Sequence, residues 1–145
     1  MTTVLSYQDR YASYRLSIEN RIVCAVVSGA VGNSFAARYN KDFYLLIDQL
    51  EPGPWGHFGD FKNLEALTAE AQQTSNLLHK EASKRGCVIS AFRMNSALLT
   101  NQVNMIRNNS DLPTLENQQF FETKQQAIAF IEDFIANAIN TEKTC

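Results

Sequence analysis

Arg21-Ile-Val-Cys-Ala-Val-Val-Ser-Gly-Ala-Val-Gly32 is the stretch that decides the fold. Its apolar residues are consecutive rather than alternate, and many are β-branched, which is the composition of a strand covered on both faces. Such a strand belongs inside a sheet, with strands on either side and helices or a partner above and below. Immediately upstream, Tyr14-Arg-Leu-Ser-Ile-Glu19 alternates with period two, the pattern of a half-exposed strand. Asn20-Arg21 reads as a tight turn, so the two strands are expected to form an antiparallel hairpin. Residues 1–13, with Tyr7 and Tyr11 among polar neighbours, read as an N-terminal arm, loosely packed or forming a short helical turn.

Downstream, Gly32-Asn33 ends the strand and opens a helix over Ser34–Leu50. Phe35, Tyr39, Phe43, Leu46 and Leu50 recur at spacings of four and three, which places them on one stripe facing the sheet. Glu51-Pro-Gly-Pro54 breaks that helix, because proline cannot continue the ladder. Trp55–Phe61 then reads as a strand interrupted by two glycines, with Asp60 near its carboxyl end. After a connection over 62–67, Thr68 is a suitable N-cap for a helix over Ala69–Arg85 with Ala71, Ser75, Leu78 and Ala82 inward, closed by Gly86. Cys87–Phe92 is a second continuous apolar run and hence another interior strand. Asn95 or Ser96 caps a helix reaching about Asn108, with Leu99, Val103 and Ile106 inward, and 108–113 has turn chemistry. A short strand is expected at Gln119–Glu122, ahead of the capping box Thr123-Lys-Gln-Gln126. The last helix would bury Ala127, Ile131, Phe134, Ile135 and Ala138, leaving 140–145 as a frayed tail.

These elements make one α/β domain over 14–139: a mixed sheet of about five strands with four helices. Right-handed crossovers between successively added strands put the helices mainly on one face. The other face would then be an apolar patch larger than soluble monomers tolerate, so a homodimer or a bound apolar ligand is expected to cover it.

Composition narrows the function. The chain has 145 residues, 45% apolar and 19% charged, with a formal net charge of −2. It has no basic run to displace counterions from phosphates, so nucleic-acid binding is not expected. Nor does any stretch reach the ~18 apolar residues of a membrane span, so the protein is expected to be cytoplasmic, without integral membrane association. Cys24, Cys87 and Cys145 are widely spaced and odd in number, which argues against a disulfide framework or zinc site.

The order of motifs resembles the STAS superfamily, and within it the SpoIIAA-like branch grouped with SEC14-type domains. The residues that carry the resemblance are Tyr14-Arg-Leu-Ser-Ile, Val27-Ser-Gly-Ala, Pro54-Trp-Gly with Gly59-Asp60, Leu67-Thr-Ala-Glu-Ala71, Gly86 and Phe121 before Thr123. The resemblance implies a SpoIIAA-like fold. For the partner-switching members it implies a serine phosphorylated in an Asp-Ser-Ser-Gly motif at a helix start. Here the matching stretch is Thr68-Ala-Glu-Ala71, so Glu70 stands at the serine's position and Thr68 at the aspartate's. The usual acceptor is missing, which leaves Thr68 as the candidate phospho-acceptor.

Catalytic chemistry has little to work with. His57 and Asp60 are the nearest thing to an acid–base pair, but their odd separation points them to opposite faces of a strand. His79, beside Lys80 and Glu81, reads as a solvated surface residue. With two histidines and no ligand cluster, no metal is expected. Gly29-Ala-Val-Gly32 lacks the third glycine of a dinucleotide fingerprint, so no cofactor is expected either. The helix start at Thr68 could hold an anion, but Glu65 and Glu70 already supply the negative charge it favours. The reading that follows is a non-enzymatic regulatory or protein-interaction module. It would work through the surface from Asp60 to Glu70 and the following helix, with Trp55, His57 and Thr68 nearby. The alternative is a carrier or sensor of a small, lipid-like apolar ligand, held where Phe35, Tyr39 and Phe43 face the Trp55 strand.

Overall fold

The computed structural model describes residues 3–110 and 119–143. The chain runs β1 (Val4–Gln8), β2 (Ala12–Glu19), β3 (Ile22–Val31), α1 (Asn33–Gln49), β4 (Trp55–Asp60), β5 (Leu64–Leu67), α2 (Ala69–Lys84), β6 (Cys87–Arg93), α3 (Ala97–Asn109) and α4 (Lys124–Lys143). The six strands form one mixed sheet in the order β1-β2-β3-β4-β6, with β5 lying against the end of β3. As expected from its unbroken apolar run, β3 is interior: Ile22, Val23 and Ala25 are fully buried. It pairs antiparallel with β2 and parallel with β4.

β3 changes partner along its length. Ile22–Val26 pair with β4, whereas Gly29–Val31 pair with β5, across a bulge between Gly29 and Ala30. Gly29 adopts φ +89°, and the carbonyl of Tyr11 lies where a Cβ would project. That carbonyl accepts the N–H of Ala30 at 3.0 Å, and the Gly29 N–H donates to Asn63 O at 2.9 Å. Glycine is required here both by the backbone angle and by the closeness of the neighbouring strand. At the opposite end of β3, Asn20 makes the hairpin turn at φ 54°. Arg21 then donates to the carbonyls of Glu51, Gly53 and Pro54, which fastens the α1–β4 loop to the hairpin.

Several expectations change. The supposed arm over 1–13 is instead the edge strand β1, antiparallel to β2, with Leu5 and Tyr7 packed on the core. The Asp9 carboxylate makes its turn by accepting the N–H groups of Tyr11 and Ala12. The connection over 62–67 contains β5. The strand expected at 119–122 contracts to a single bridge between Phe120 and Phe92. The polar tail is helical as far as Lys143, because α4 does not stop at 139. Of the turn expected over 108–113, Asn108 and Asn109 belong to α3 and 111–113 lie outside the described residues, as does Cys145.

The helices divide three to one between the faces. Phe35, Phe43 and Leu46 of α1, Ala71, Leu78 and Ala82 of α2, and Leu99 of α3 join the core on one side. α4 lies across the other, where Ala127, Ile131 and Ile135 pack on Ile22, Cys24, Phe58 and Ala91. Gly56 leaves room for it, since a Cβ there would run into Ile131. Phe134, expected in that buried face, is 41% exposed. The remainder of the face, under β1, β2 and the end of β3, presents Ser6, Gln8, Ser13, Arg15 and Ser17 together with the exposed Val4 and Val26. Among the described residues, then, α4 covers one half of this face, and the other half is mostly polar. No described helix is long and apolar enough to cross a membrane.

Candidate functional site

The aromatic side chains of α1 pack against one another, and Phe43 also borders the cavity beside His57. Tyr14 meets Phe35 and Tyr39 edge-on, Tyr39 meets Phe43, and Phe43 meets Trp55 and His57, with centroid separations of 5.3–6.3 Å. Trp55 is buried and its indole N–H donates to Arg85 O at 2.9 Å. The space left beside Phe35 and Tyr39 is about 50 Å³, enough for a water or two but not for a lipid-like molecule. These residues are core, and a carrier pocket among them is not supported.

At the corner between β5 and α2, the Thr68 hydroxyl accepts the Ala71 N–H at 3.1 Å, and the Thr68 N–H donates to Val31 O at 3.0 Å. Glu70 is exposed in the first turn of α2, where its charge complements the helix dipole. Thr68, at the position of the motif's aspartate, is thus a helix cap, and Glu70 stands where the motif has its serine. Thr68→Ala is expected to lower stability by about 1 kcal/mol, and Thr68→Ser to lose little of it. Urea denaturation of both variants measures this; an unchanged midpoint in Thr68→Ala would remove the capping role.

His57 and Asp60 do point to opposite faces. Asp60 meets Arg93 at 3.4 Å, on the α4 side of the sheet. His57 is 6% exposed on the other side, with its ring between those of Phe43 and Phe92 at 5.4 Å each and that of His79 at 6.3 Å. Its Nε2 is buried without a hydrogen-bond partner.

Around His57 the fold brings together residues that sequence reasoning did not connect. His79 of α2, expected in solvent, is half-buried against His57. Arg107 of α3 is 6% exposed. Together with Cys87 and Ser90 of β6 and Gln119, they line a cavity of about 290 Å³. Gln119 donates to Ser90 O at 2.9 Å, which closes part of the free edge of β6. Burial sets the electrostatics. It pushes the His57 pKa down to about 3, aided by His79 and Arg107, and that of His79 down to about 4, aided by Arg107. Both imidazoles are therefore neutral near pH 7, each with one N–H to donate and one nitrogen to accept. Burial also raises the Cys87 thiol to about 11, so it is protonated and a poor nucleophile. Burial lowers the Arg107 pKa too, yet a guanidinium stays charged in proteins. The site brings a buried guanidinium, two imidazoles, a thiol and a hydroxyl to one cavity wall. Among the described residues, no group of three or more His, Cys, Asp or Glu side chains is placed to hold a metal.

No family model matches the chain, and no curated protein matches it in sequence. Solved structures do match. An uncharacterised protein of the DUF3478 family from Shewanella loihica PV-4, described as having a SpoIIAA-like fold, superposes with a TM-score of 0.57 and 13% identity, over 90% of this chain and 93% of that one. An anti-sigma factor antagonist from Mycobacterium paratuberculosis gives a TM-score of 0.55 and 11% identity over 92% and 96%. SLC26A9 gives 0.55 and 13% identity over 85% of this chain but only 21% of its own. The mixed sheet, the partition of its helices and these superpositions agree with the resemblance read from the motif order: the chain has the SpoIIAA-like fold.

Proposed function

We propose that the chain is a non-enzymatic regulatory or protein-interaction module that works, in the cytoplasm, through the corner where β5 enters α2. The observation that carries this reading is the surface of that corner. Glu65, Ala66, Thr68, Ala69 and Glu70 are all exposed. The Gln102 amide donates to Leu67 O at 3.3 Å, which ties α3 to the corner. Leu98, one turn earlier on the same face of α3, stands 70% exposed beside it. An apolar anchor next to an acidic helix start has the composition of a small protein contact, with an apolar centre and a charged rim. The likeness to one structural neighbour, an anti-sigma factor antagonist, supports a role exercised on another protein.

A photo-cross-linking amino acid in place of Leu98, expressed in the native cell, is expected to capture one discrete protein. The same probe at Arg15, on the polar face of β2, is expected to capture none, and Glu70→Lys to weaken the Leu98 adduct. Equal capture at both positions, or at neither, would refute the assignment. Steady turnover of ester or phosphomonoester substrates that disappears in His57→Ala would refute its non-enzymatic part.

A further inference from the structure

We propose that the outer edge of β1 pairs with the same edge of a second copy of this chain, joining the two sheets into one across a two-fold axis at Ser6. This edge shares no residue with the β5–α2 corner, so its failure and the failure of the interaction reading are distinguishable.

Main-chain direction sets the register. Among the described residues β1 pairs with β2 alone, which leaves its other side without a strand. At the hairpin the Asp9 N–H donates to Ala12 O at 2.9 Å. Successive residues of an antiparallel strand turn their N–H and C=O groups to opposite sides. With Asp9 bonded towards β2, Tyr7 and Leu5 point theirs at β2 as well, and Val4, Ser6 and Gln8 point theirs outward. An axis at Ser6 sets Ser6 opposite Ser6, with Val4 opposite Gln8 on either side of it. Each of these three pairs exchanges two hydrogen bonds, whereas an axis at Leu5 or Tyr7 would allow only two such pairs.

The side chains permit this pairing and favour a copy of the same strand. Val4-Leu-Ser-Tyr-Gln8 has no proline, no lysine or arginine, and no bulge against β2, so it lacks the devices that keep sheet edges apart. On the exposed face the row Val26, Arg15, Ser6 would continue into Ser6, Arg15 and Val26 of the second copy. The two Arg15 residues would lie three strand spacings apart, about 14 Å, beyond the ~8 Å over which exposed charges act at physiological salt. On the core face Leu5 of one copy would meet Tyr7 of the other. Both are half-buried and packed on the core, so pairing extends the apolar layer beneath β1. Arg38 already lies over the Tyr7 ring at 4.1 Å, which holds that ring before a partner arrives. The strand carries no charged side chain by which a particular foreign strand would be selected, whereas self-pairing sets Leu5 against Tyr7 and uses all the outward groups.

An edge of five residues makes a small interface, so dissociation in the micromolar range is expected. Sedimentation equilibrium from about 1 μM to about 1 mM is expected to show monomer passing into dimer and no larger species, because pairing uses up the edge. Under conditions that favour the dimer, the Ser6 amide is expected to exchange its hydrogen about tenfold or more slowly than in dilute protein, while Leu5 and Tyr7, bonded to β2 in both states, change little. Ser6→Pro removes the N–H at the axis without removing a bond to β2, and is expected to weaken the dimer by about tenfold or more. Should that variant fail to fold, Ser6→Lys, which sets two ammonium groups opposite each other on the exposed face, is expected to weaken it by about threefold or more. A protein that stays monomeric throughout would leave the edge to a foreign strand and overturn the proposal. A dimer indifferent to both substitutions, or one whose Ser6 amide exchanges as fast as in the monomer, would overturn it too.

Discussion

Gly29→Ala is expected to lower the stability of this protein by about 3 kcal/mol or more, far beyond an ordinary exposed glycine-to-alanine change. Two causes act together. The residue sits at φ +89°, where an L side chain is strained, and the new methyl would be driven into the backbone carbonyl of Tyr11. Backbone cannot rotate aside as a side chain does, so β2 or β3 must shift. The damage falls where β3 leaves β4 for β5, so the loss should appear first as faster hydrogen exchange at the Ala30 and Thr68 amides, which bond across that junction. Chemical denaturation measures the total. A loss below 1 kcal/mol would show that the junction is more pliable than its geometry indicates.

Acidification provides the second large effect. His57 and His79 have folded pKa values of about 3 and about 4, below the 6.5 of an exposed histidine. Between these values the unfolded chain binds protons that the folded chain refuses, so stability falls as pH falls. The decline begins near pH 6.5 and ends only as pH drops through the folded values. By pH 5 it amounts to about 2 kcal/mol for a fully buried histidine, and about 3–4 kcal/mol for the pair, His79 being only half-buried. That is a large share of the ~5–15 kcal/mol that holds a domain folded. The groups facing the pair, His79 for His57 and Arg107 for both, act in the same direction, since each disfavours a further positive charge. Urea midpoints at pH 7, 6 and 5 test this, with His57→Phe expected to flatten about half of the slope. A midpoint independent of pH across that range would sink the prediction.

Much of the architecture was legible because it rests on patterns that burial imposes directly. The apolar run of β3 could be read from consecutive β-branched residues, α1 from its aromatic spacing, and the starts of α2 and α3 from Thr68 and Ser96, whose hydroxyls do cap them. β1 was missed because only Leu5 and Tyr7 face inward, too few to mark a period, and β5 because four residues carry no period at all. The side of the sheet that α4 covers was illegible for a different reason. An apolar stripe shows that a helix is buried, not which face it covers.

The cavity residues illustrate the same limit. His79 lies four residues after Ser75 and three before Ala82, and Arg107 lies four after Val103, so each sits on the shoulder of a buried stripe. The charged neighbours Lys80 and Glu81 argued for solvent around His79 and outweighed its spacing, and Arg107 was not singled out. That they converge on His57 follows from the packing of α2 and α3, which no local pattern encodes.

The placement of α4 bears on how the protein is made. Every strand of the sheet precedes it, and β6 is complete some fifty residues before Lys143. At the ~5–20 residues per second of translation, the surface formed by Ile22, Cys24, Phe58 and Ala91 stays uncovered for a few seconds after the last strand has left the ribosome. A nascent chain halted in that interval carries a sticky, half-finished sheet.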